Sequence, residues 1–223
     1  MPLVHITDTN EHLEVKKILC IGRNYAGHAK EMNASIPENP LFFLKPATAI
    51  IHDGETVRVP EISKEVHHEV EMLVLIGTGG TNISPADSLR HVAGYGIGLD
   101  MTMRDVQAEA KKKGTPWTLA KGFDTSAPVS SFVSASRIQN PHELGVKLTV
   151  NRAPRQNGCT DQFLFRIEEL IAYLSRFITL ERGDIIFTGT PEGVAQTVSG
   201  DELHAELSLP SGEVLSSLTV RVQ

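Results

Sequence analysis

Residues 67–77 read HHEVEMLVLIG, and this stretch decides the fold of the chain. In a β-strand, side chains alternate between two faces, so the even positions from Val70 to Ile76 form one continuous apolar face. The odd positions begin with Glu69 and Glu71 and end with two leucines. Because the second half of the strand is apolar on both faces, the sequence predicts a buried strand here.

Short β-like runs dominate the rest of the chain, and helical patterns are fewer. Predicted strands lie at 17–21, 41–44, 69–76, 94–99, 146–150, 184–188, 202–209 and 214–222. Predicted helices lie at 25–32 with Asn24 as N-cap, at a short segment that opens with Ser84, at 103–113 and at 165–177. This pattern indicates an α+β domain that is mostly β. Because strands and helices do not alternate regularly, Rossmann and TIM-barrel architectures are disfavoured.

The length and composition fit one large globular domain. The chain has 223 residues, 40% of them hydrophobic, and 21 basic against 27 acidic residues give a formal net charge of −6. This charge disfavours nucleic acid and anionic membranes as partners. The two cysteines cannot form a disulfide framework. No signal peptide and no bilayer-length apolar run is visible, so the expected location is the cytoplasm.

Three acidic side chains are candidates for a divalent metal site. Glu69 and Glu71 share one strand face, roughly 6–7 Å apart. Their repulsion is on the order of 2–3 kcal/mol at an effective dielectric of about 20, and a cation would relieve it. Asp100 ends the run at 94–99, whose glycines face the same way and indicate that another group comes close. Three carboxylates suit Mg²⁺ or Mn²⁺ before Ca²⁺ or Zn²⁺.

Other interpretations of these residues remain open at this point. The two glutamates could form a hydrated strand entrance, and Asp100 could be the N-cap of the following helix. His67 falls on the same strand face as Glu69. As a metal ligand, its imidazole nitrogen would make the ligand set softer, and such a set would suit zinc or iron.

A second candidate group lies in the predicted helix at 25–32. His28 and Glu31 are spaced i, i+3 and are therefore neighbours on one helix face. A carboxylate bonded to one imidazole nitrogen leaves the other nitrogen free to act as a general base. The same spacing is also common on solvated helix surfaces. The segment that follows, 33–40, is polar and contains proline, which is typical of a lid over a site.

Further polar residues could complete a site. Arg104 and Gln107 are spaced i, i+3 one turn beyond Asp100, and Lys121 follows an apolar pair and could reach inward. The loop at 188–193 could present backbone N–H groups and the Thr190 hydroxyl to an anion. The alternative for all of them is a solvated surface or a plain turn.

Together these segments resemble the fumarylacetoacetate hydrolase family, and most closely its short acylpyruvase members, including those also described as oxaloacetate decarboxylases. The matching segments are Gly22-Arg23-Asn24-Tyr25 with His28 and Glu31, Phe43-Leu44-Lys45-Pro46, His68-Glu69-Val70-Glu71, Gly98-Leu99-Asp100 with Arg104 and Gln107, Lys121-Gly122-Phe123-Asp124, and Thr188-Gly189-Thr190-Pro191. Order and spacing hold over nearly the whole chain. The expected division is an N-terminal extension or edge segment at 1–15 and a catalytic domain at 16–223.

The resemblance implies a fold and a cofactor. The implied fold is a mixed β-sandwich roll of the family's C-terminal-domain type, with peripheral helices and a homodimeric assembly. The implied metal ligands are Glu69, Glu71 and Asp100, with Mg²⁺ as the ion, Mn²⁺ as a substitute and Ca²⁺ as a further ion found in crystals. Longer members carry a fourth metal-binding aspartate shortly before the histidine, where this chain has Ile21 and Gly22. This difference favours the acylpyruvase-like group.

The implied activity is hydrolysis of the C–C bond of 2,4-dioxo acids such as acetylpyruvate or fumarylpyruvate, with oxaloacetate decarboxylation as a side activity. The implied catalytic residues are His28, Glu31 and Lys121, and the implied substrate-binding residues are Arg23, Lys45, Arg104, Gln107 and Thr190. One alternative is an isomerase or decarboxylase of ring-cleavage products from aromatic breakdown. A remote alternative is a non-catalytic, metal-dependent protein that binds 2-oxo acids.

Overall fold

The fold was obtained as a computed structural model, which describes residues 2–32 and 35–223. The strands are β1 (Leu3–Ile6), β2 (Glu11–Glu14), β3 (Ile18–Gly22), β4 (Leu41–Lys45), β5 (Ile50–Ile51), β6 (Thr56–Val57), β7 (Val66–His68), β8 (Val70–Ile76), β9 (Val92–Leu99), β10 (Thr102–Met103), β11 (Ala127–Pro128), β12 (Val133–Ser134), β13 (Gly145–Val150), β14 (Ala153–Cys159), β15 (Ile185–Phe187), β16 (Ala195–Thr197), β17 (Glu202–Ser208) and β18 (Val214–Val222). The helices are α1 (Ala26–Glu31), α2 (Arg104–Lys113), α3 (Thr118–Lys121) and α4 (Ile167–Ser175).

The strand predicted from residues 67–77 lies at the centre of the larger sheet. This sheet has six strands in the order β12-β9-β8-β15-β3-β4, in which only β15 and β3 run parallel. Every residue of β8 is buried. Its even positions, such as Met72, and its odd positions, such as Leu73, belong to two different apolar clusters, one on each side of the sheet. The predicted burial on both faces is therefore confirmed.

A five-stranded sheet covers one side of the larger sheet. Its order is β14-β13-β17-β18-β6, and its apolar residues join the main core cluster, where Val146 and Val220 lie with Met72 and Ile97. Helix α4 closes the edge of this core through Leu170 and its apolar neighbours. A small three-stranded sheet, β10-β7-β16, lies next to the start of β8. The architecture is the predicted mixed β-sandwich with peripheral helices.

The N-terminal segment forms a hairpin on the other side of the six-stranded sheet. Strands β1 and β2 pair antiparallel, and Val4, Ile6 and Leu13 pack in the second cluster with Leu73 and Phe187. Residues 2–15 thus contribute apolar side chains to the core. The division of the chain at residues 15 and 16 stays a prediction.

Several local predictions differ from the structure. Helix α1 begins after Tyr25, and the Asn24 side chain does not cap it. Instead Asn24 bonds the backbone of Phe165 and the carbonyl of Thr188, which joins three segments beside the core. The segment after Ser84 forms a short 3₁₀ helix at Ser88–His91. The sequence patterns missed α3, β14, both strands of the N-terminal hairpin, and the short strands β5, β6, β7, β10, β11, β12 and β16.

The predicted lid at 33–40 is described only in part, because Asn33 and Ala34 lie outside the described residues. Residues 35–40 contain no helix or strand. Among the residues described, no helix combines the length and the apolar character needed to span a bilayer.

Candidate active site

Three carboxylates converge at one end of the β8–β9 pair. Glu69 immediately precedes β8, Glu71 is its second residue, and Asp100 follows β9. The antiparallel register places Glu71 opposite Gly98, and the Asp100 N–H donates to the Glu69 carbonyl at 2.8 Å. One carboxylate oxygen of each residue lies within 4.8 Å of the others, and all three side chains are buried. The sheet register therefore brings together residues that are about thirty positions apart.

The glycines of β9 make room for the protein itself. A Cβ atom on Gly98 would lie 2.8 Å from the Pro128 carbonyl oxygen and 2.9 Å from a Leu73 methyl carbon. A Cβ atom on Gly96 would lie 2.9 Å from the Ser130 hydroxyl oxygen. The close approach predicted from these glycines is thus that of other protein residues, which pack on the same face of the sheet.

Two cationic side chains neutralise Glu69 and Asp100 from the cavity side. The Lys121 ammonium, at the end of α3, lies 2.7 Å from Glu69 Oε2 and 2.5 Å from Asp100 Oδ2. The Arg104 guanidinium, at the start of α2, donates to the other oxygen of Glu69. Burial alone would raise the pKa of Glu69, but Lys121 and Arg104 outweigh burial and hold it well below its ordinary value. Glu69 is therefore ionised.

Glu71 has a different environment from the other two carboxylates. It forms no ion pair among the described residues, and it accepts one hydrogen bond, at 2.6 Å, from the Gly189 N–H. Gly189 has a φ of +99°, which suits glycine at this tight turn against Asn24. Burial and the negative charges of Asp100 and Glu69 raise the pKa of Glu71 well above its ordinary value.

A divalent cation fits this donor set. The three carboxylates offer oxygen ligands close enough to share one ion, and Glu71 is the one of the three that forms no ion pair among the described residues. Oxygen-only ligands suit Mg²⁺, Mn²⁺ or Ca²⁺ better than a soft metal. His67 is not part of the group, because its Nε2 lies 3.1 Å from Glu65 Oε1.

Lys45 lies behind the carboxylates. It is 1% exposed, its ammonium is 2.8 Å from Asp100 Oδ1, and it donates to the carbonyls of Met101, Lys121 and Ser126. All of its donors are thereby occupied. This placement does not support the predicted contact with substrate and favours a role in fixing Asp100.

The His28–Glu31 pair lies on α1 above the carboxylates. His28 is buried, and its Nδ1 is 3.3 Å from Glu31 Oε2. The other oxygen of Glu31 accepts from the Gly193 N–H at 3.0 Å, so Glu31 is held by the loop that follows β15. The predicted neighbour contact is present, and the second imidazole nitrogen, Nε2, remains available.

These groups line one cavity with an empty volume of about 450 Å³. Of the predicted site residues, all except Glu31 and Lys45 contribute to its wall. Arg104 also donates to Gln107 Oε1 at 2.8 Å, which leaves the Gln107 amide nitrogen free to donate. Lys111 and Trp117 contribute to the wall too, and the sequence analysis missed them. Lys111 is spaced i, i+4 from Gln107 and therefore lies on the same face of α2, and this spacing is the sequence feature that could have identified it as a cavity residue.

Gln156 is a further residue that the sequence analysis missed. It lies on β14, is 2% exposed, and bonds residues on both sides of the cavity. No sequence signal identified it, because β14 lacks an apolar pattern and was not predicted as a strand.

Comparison with known proteins finds relatives over most of the chain. The family model for the C-terminal domain of fumarylacetoacetate (FAA) hydrolase matches residues 17–223. The mouse protein named oxaloacetate tautomerase FAHD1, mitochondrial, is 50% identical over 190 residues, or 85% of this chain and 86% of that protein. Oxaloacetate tautomerase YcgM of Escherichia coli (strain K12) is 45% identical over 190 residues, or 85% of this chain and 87% of that protein.

A solved structure extends the similarity to the fold. Fumarylpyruvate hydrolase from Pseudomonas aeruginosa, in complex with Mn²⁺ and pyruvate, has a TM-score of 0.92 and 36% identity to this chain. The match covers 99% of this chain and 95% of that chain. The resemblance inferred from the motifs, and the mixed β-sandwich fold that it implied for the single chain, are thereby confirmed.

Proposed function

Because the chain belongs to the fumarylacetoacetate hydrolase family, we propose that it is a divalent-metal-dependent enzyme that interconverts the keto and enol forms of a 2-oxo acid, with oxaloacetate as the first candidate substrate. The observation that carries this proposal is the convergence of three buried carboxylates and the Lys121 ammonium in one cavity. The relatives named oxaloacetate tautomerases support oxaloacetate. Tautomerisation is therefore the first candidate activity, ahead of acylpyruvate hydrolysis, which the family resemblance alone had favoured.

Glu69, Glu71 and Asp100 would hold the metal ion, and we propose Mg²⁺ with Mn²⁺ as a substitute. When bound, the ion would supply Lewis-acid stabilisation of negative charge on substrate oxygen. The Mn²⁺ in the Pseudomonas fumarylpyruvate hydrolase supports a hard divalent ion, and Ca²⁺ is compatible with the same ligands.

The side chains of the cavity can move the protons that tautomerisation requires. Conversion of keto to enol oxaloacetate removes one proton from C3 and adds one to the 2-oxo oxygen, so no atoms are gained or lost. In this proposal the His28 imidazole accepts the C3 proton, and the Lys121 ammonium donates to the oxygen. Glu31 orients the imidazole. Arg104 and Gln107 donate to the substrate's remaining oxygens.

Acylpyruvate hydrolysis is the second candidate reaction. The His28–Glu31 pair could also take a proton from a water molecule that attacks the distal carbonyl, after which the C–C bond breaks to give a carboxylic acid and the enol of pyruvate. Decarboxylation of oxaloacetate breaks the bond between C3 and C4, releases C4 as CO₂ and leaves the enolate of pyruvate, without attack by water. The similar fumarylpyruvate hydrolase favours hydrolysis as the second candidate over the isomerase alternative.

Three assays on the purified chain with Mg²⁺ separate these reactions. Loss of the ultraviolet absorbance of enol-oxaloacetate reports tautomerisation, pyruvate formed from oxaloacetate reports decarboxylation, and pyruvate formed from acetylpyruvate or fumarylpyruvate reports hydrolysis. We expect enol loss to be the fastest of the three and to occur without pyruvate. If none of the three rates exceeds that of buffer with Mg²⁺, the proposed function is wrong.

The cavity also favours a substrate with two carboxylates. Arg23 and Lys111 line its wall, and neither forms an ion pair with another residue in the part of the chain that the structure describes. Arg23 has a φ of +61°, an uncommon conformation for a residue with a side chain, and one that occurs at functional sites. Burial, then Arg104 and Arg23, lower the pKa of Lys111. A second carboxylate on the substrate would relieve this repulsion between cations.

We therefore expect Arg23→Met and Lys111→Met to discriminate between substrates. For oxaloacetate, which has two carboxylates, KM should rise roughly 10-fold in each variant, because each change removes a charge-assisted hydrogen bond. For acetylpyruvate, which has one, KM should change less than about 2-fold.

The matched control is Lys112→Met, which removes a lysine next to Lys111 that does not line the cavity. Steady-state kinetics with both substrates measure the effect. Equal rises in KM for both substrates would show that Arg23 and Lys111 do not contact a second carboxylate.

Two further predictions remain proposals. A homodimer is implied by the family resemblance, and sedimentation of the purified chain would test it. The expected cytoplasmic location also stays a prediction, and the mouse relative is named as a mitochondrial protein.

A further inference from the structure

Gln156 joins the two sides of the cavity through four hydrogen bonds. On the side of β8, its Oε1 lies 2.9 Å from His68 Nδ1 and accepts from the Val70 N–H at 3.1 Å. On the side of the loop after β15, its Nε2 donates at 2.8 Å to both Thr190 Oγ1 and the Pro191 carbonyl. Val70 separates the two glutamates of the site, and Thr190 lines the cavity.

The orientation of this amide is fixed by its backbone partners. The Val70 N–H can only donate, and the Pro191 carbonyl can only accept, so the oxygen and nitrogen of Gln156 cannot exchange positions without losing both bonds. Because Gln156 is buried, two unsatisfied groups would be costly. The amide nitrogen therefore faces Thr190.

This orientation determines what the Thr190 hydroxyl can do. A hydroxyl has one proton to donate, and it can accept through its oxygen at the same time. Within the described residues, the one hydrogen bond of Thr190 Oγ1 is the bond that it accepts from Gln156. Its proton is therefore left for an acceptor in the cavity, where Thr190 contributes to the wall.

We infer that Gln156 is a positioning residue that orients the Thr190 hydroxyl as a hydrogen-bond donor to an anionic ligand. The inference rests on the proposed function, because the ligand is the oxygen-rich substrate of that site. Gln156 acts on the ligand only through Thr190 and does not contribute to the cavity wall itself. Its removal should weaken binding of a 2-oxo acid and leave metal binding nearly unchanged.

The test is a calorimetric titration of the full chain, first with Mn²⁺ and then with pyruvate at saturating Mn²⁺. Gln156→Met keeps the length of the side chain and removes the amide. We expect the Kd for pyruvate to rise roughly 10-fold, as for loss of one charge-assisted hydrogen bond, and the Kd for Mn²⁺ to change less than about 2-fold. Gln196→Met is the matched control, because Gln196 is exposed and its amide donates to the Lys64 carbonyl outside the cavity.

A double-variant cycle separates orientation of Thr190 from a general effect on structure. Thr190→Val alone should also raise the Kd for pyruvate roughly 10-fold. If Gln156 acts through Thr190, the combined variant should bind pyruvate no more than about 2-fold more weakly than either single variant. Multiplied effects, near 100-fold, would overturn the inference.

Gln156→Glu provides a second variant of nearly the same shape. Its carboxylate can still accept from the Val70 N–H, but it would accept a hydrogen bond from the Thr190 hydroxyl, which turns that O–H away from the cavity, and it would repel the Pro191 carbonyl. We expect pyruvate to bind at least as weakly as in Gln156→Met. Unchanged pyruvate binding in either variant, or loss of folded structure in both, would overturn the inference. Failure of the unaltered chain to bind Mn²⁺ and pyruvate would instead overturn the proposed function, and the inference with it.

Discussion

Removal of divalent cations is expected to lower the activity of this chain at least 100-fold, and addition of Mg²⁺ or Mn²⁺ is expected to restore it. The expected size follows from the several kcal/mol that a Lewis acid contributes to a transition state in which negative charge develops on oxygen. The measurement is the rate of enol-oxaloacetate loss after treatment with EDTA, then after titration with Mg²⁺. Full activity after rigorous chelation would contradict the metal assignment.

The same ion should stabilise the fold. At a concentration 100 times its Kd, a ligand that binds only the folded state contributes about 2.7 kcal/mol. For a chain of this length, we expect Tm to rise by roughly 5–10 °C on addition of the ion. Differential scanning calorimetry with and without Mg²⁺ measures this shift.

Glu71→Gln separates two contributions to the stability of the fold, that of the bound ion and that of the three carboxylates without an ion. The raised pKa of Glu71 means that the folded chain binds its proton more tightly than the unfolded chain. The contribution of protonated Glu71 to the free energy of unfolding is therefore fully present below the ordinary pKa of glutamate, and it is lost as the pH rises from there through the raised pKa of the folded chain. Since glutamine carries no charge and can still accept from the Gly189 N–H, the metal-free variant should melt above the metal-free unaltered chain at pH 7.

The Glu71→Gln variant should also respond little to Mg²⁺, because it lacks one of the three carboxylate ligands. Glu109→Gln, at an exposed position of α2, is the matched control and should keep the full response. An equal rise of Tm with Mg²⁺ in Glu71→Gln and the unaltered chain would show that Glu71 does not hold the ion.

The part of the site that depends on one strand was predictable from sequence. Alternation along β8 gave the buried apolar faces and put Glu69 and Glu71 on one side. The proximity of Asp100 depends on the register of β8 with β9, which pairs Glu71 with Gly98. That register follows from long-range packing, so the position of Asp100 at the end of a glycine-rich strand made it a candidate ligand but left a helix N-cap as an open alternative.

The remaining differences also arise from contacts between distant segments. Lys45 lies within a matched motif, but its ammonium bonds carbonyls that the chain supplies some 56 to 81 residues later. Gln156 lies on an edge strand without apolar alternation, and its partners come from β7, β8 and the loop after β15. Local periodicity contains no information about such partners, because it reports only which face of an element is buried.

Replacement of His28 by alanine is expected to divide the reactions of this cavity into two groups. His28 is the proposed base, and it lies on α1, apart from the strands that hold the carboxylates. Tautomerisation and acylpyruvate hydrolysis both require a proton to be taken, so each should fall roughly 10²–10⁴-fold, the usual contribution of a positioned general base. Decarboxylation of oxaloacetate releases CO₂ and requires no such transfer, so it should fall much less.

Two variants make this result specific to the base. Asp100→Ala removes a proposed metal ligand and should lower all three rates together, whereas His28→Ala should leave the Kd for Mn²⁺ nearly unchanged. His12→Ala is the matched control, because His12 is exposed on the N-terminal hairpin and stacks on His5. The measurement is kcat/KM for each reaction at fixed Mg²⁺ in all three variants. If decarboxylation falls as far as hydrolysis in His28→Ala while Mn²⁺ binding is intact, the imidazole contributes to binding or orientation of the substrate and not to proton transfer.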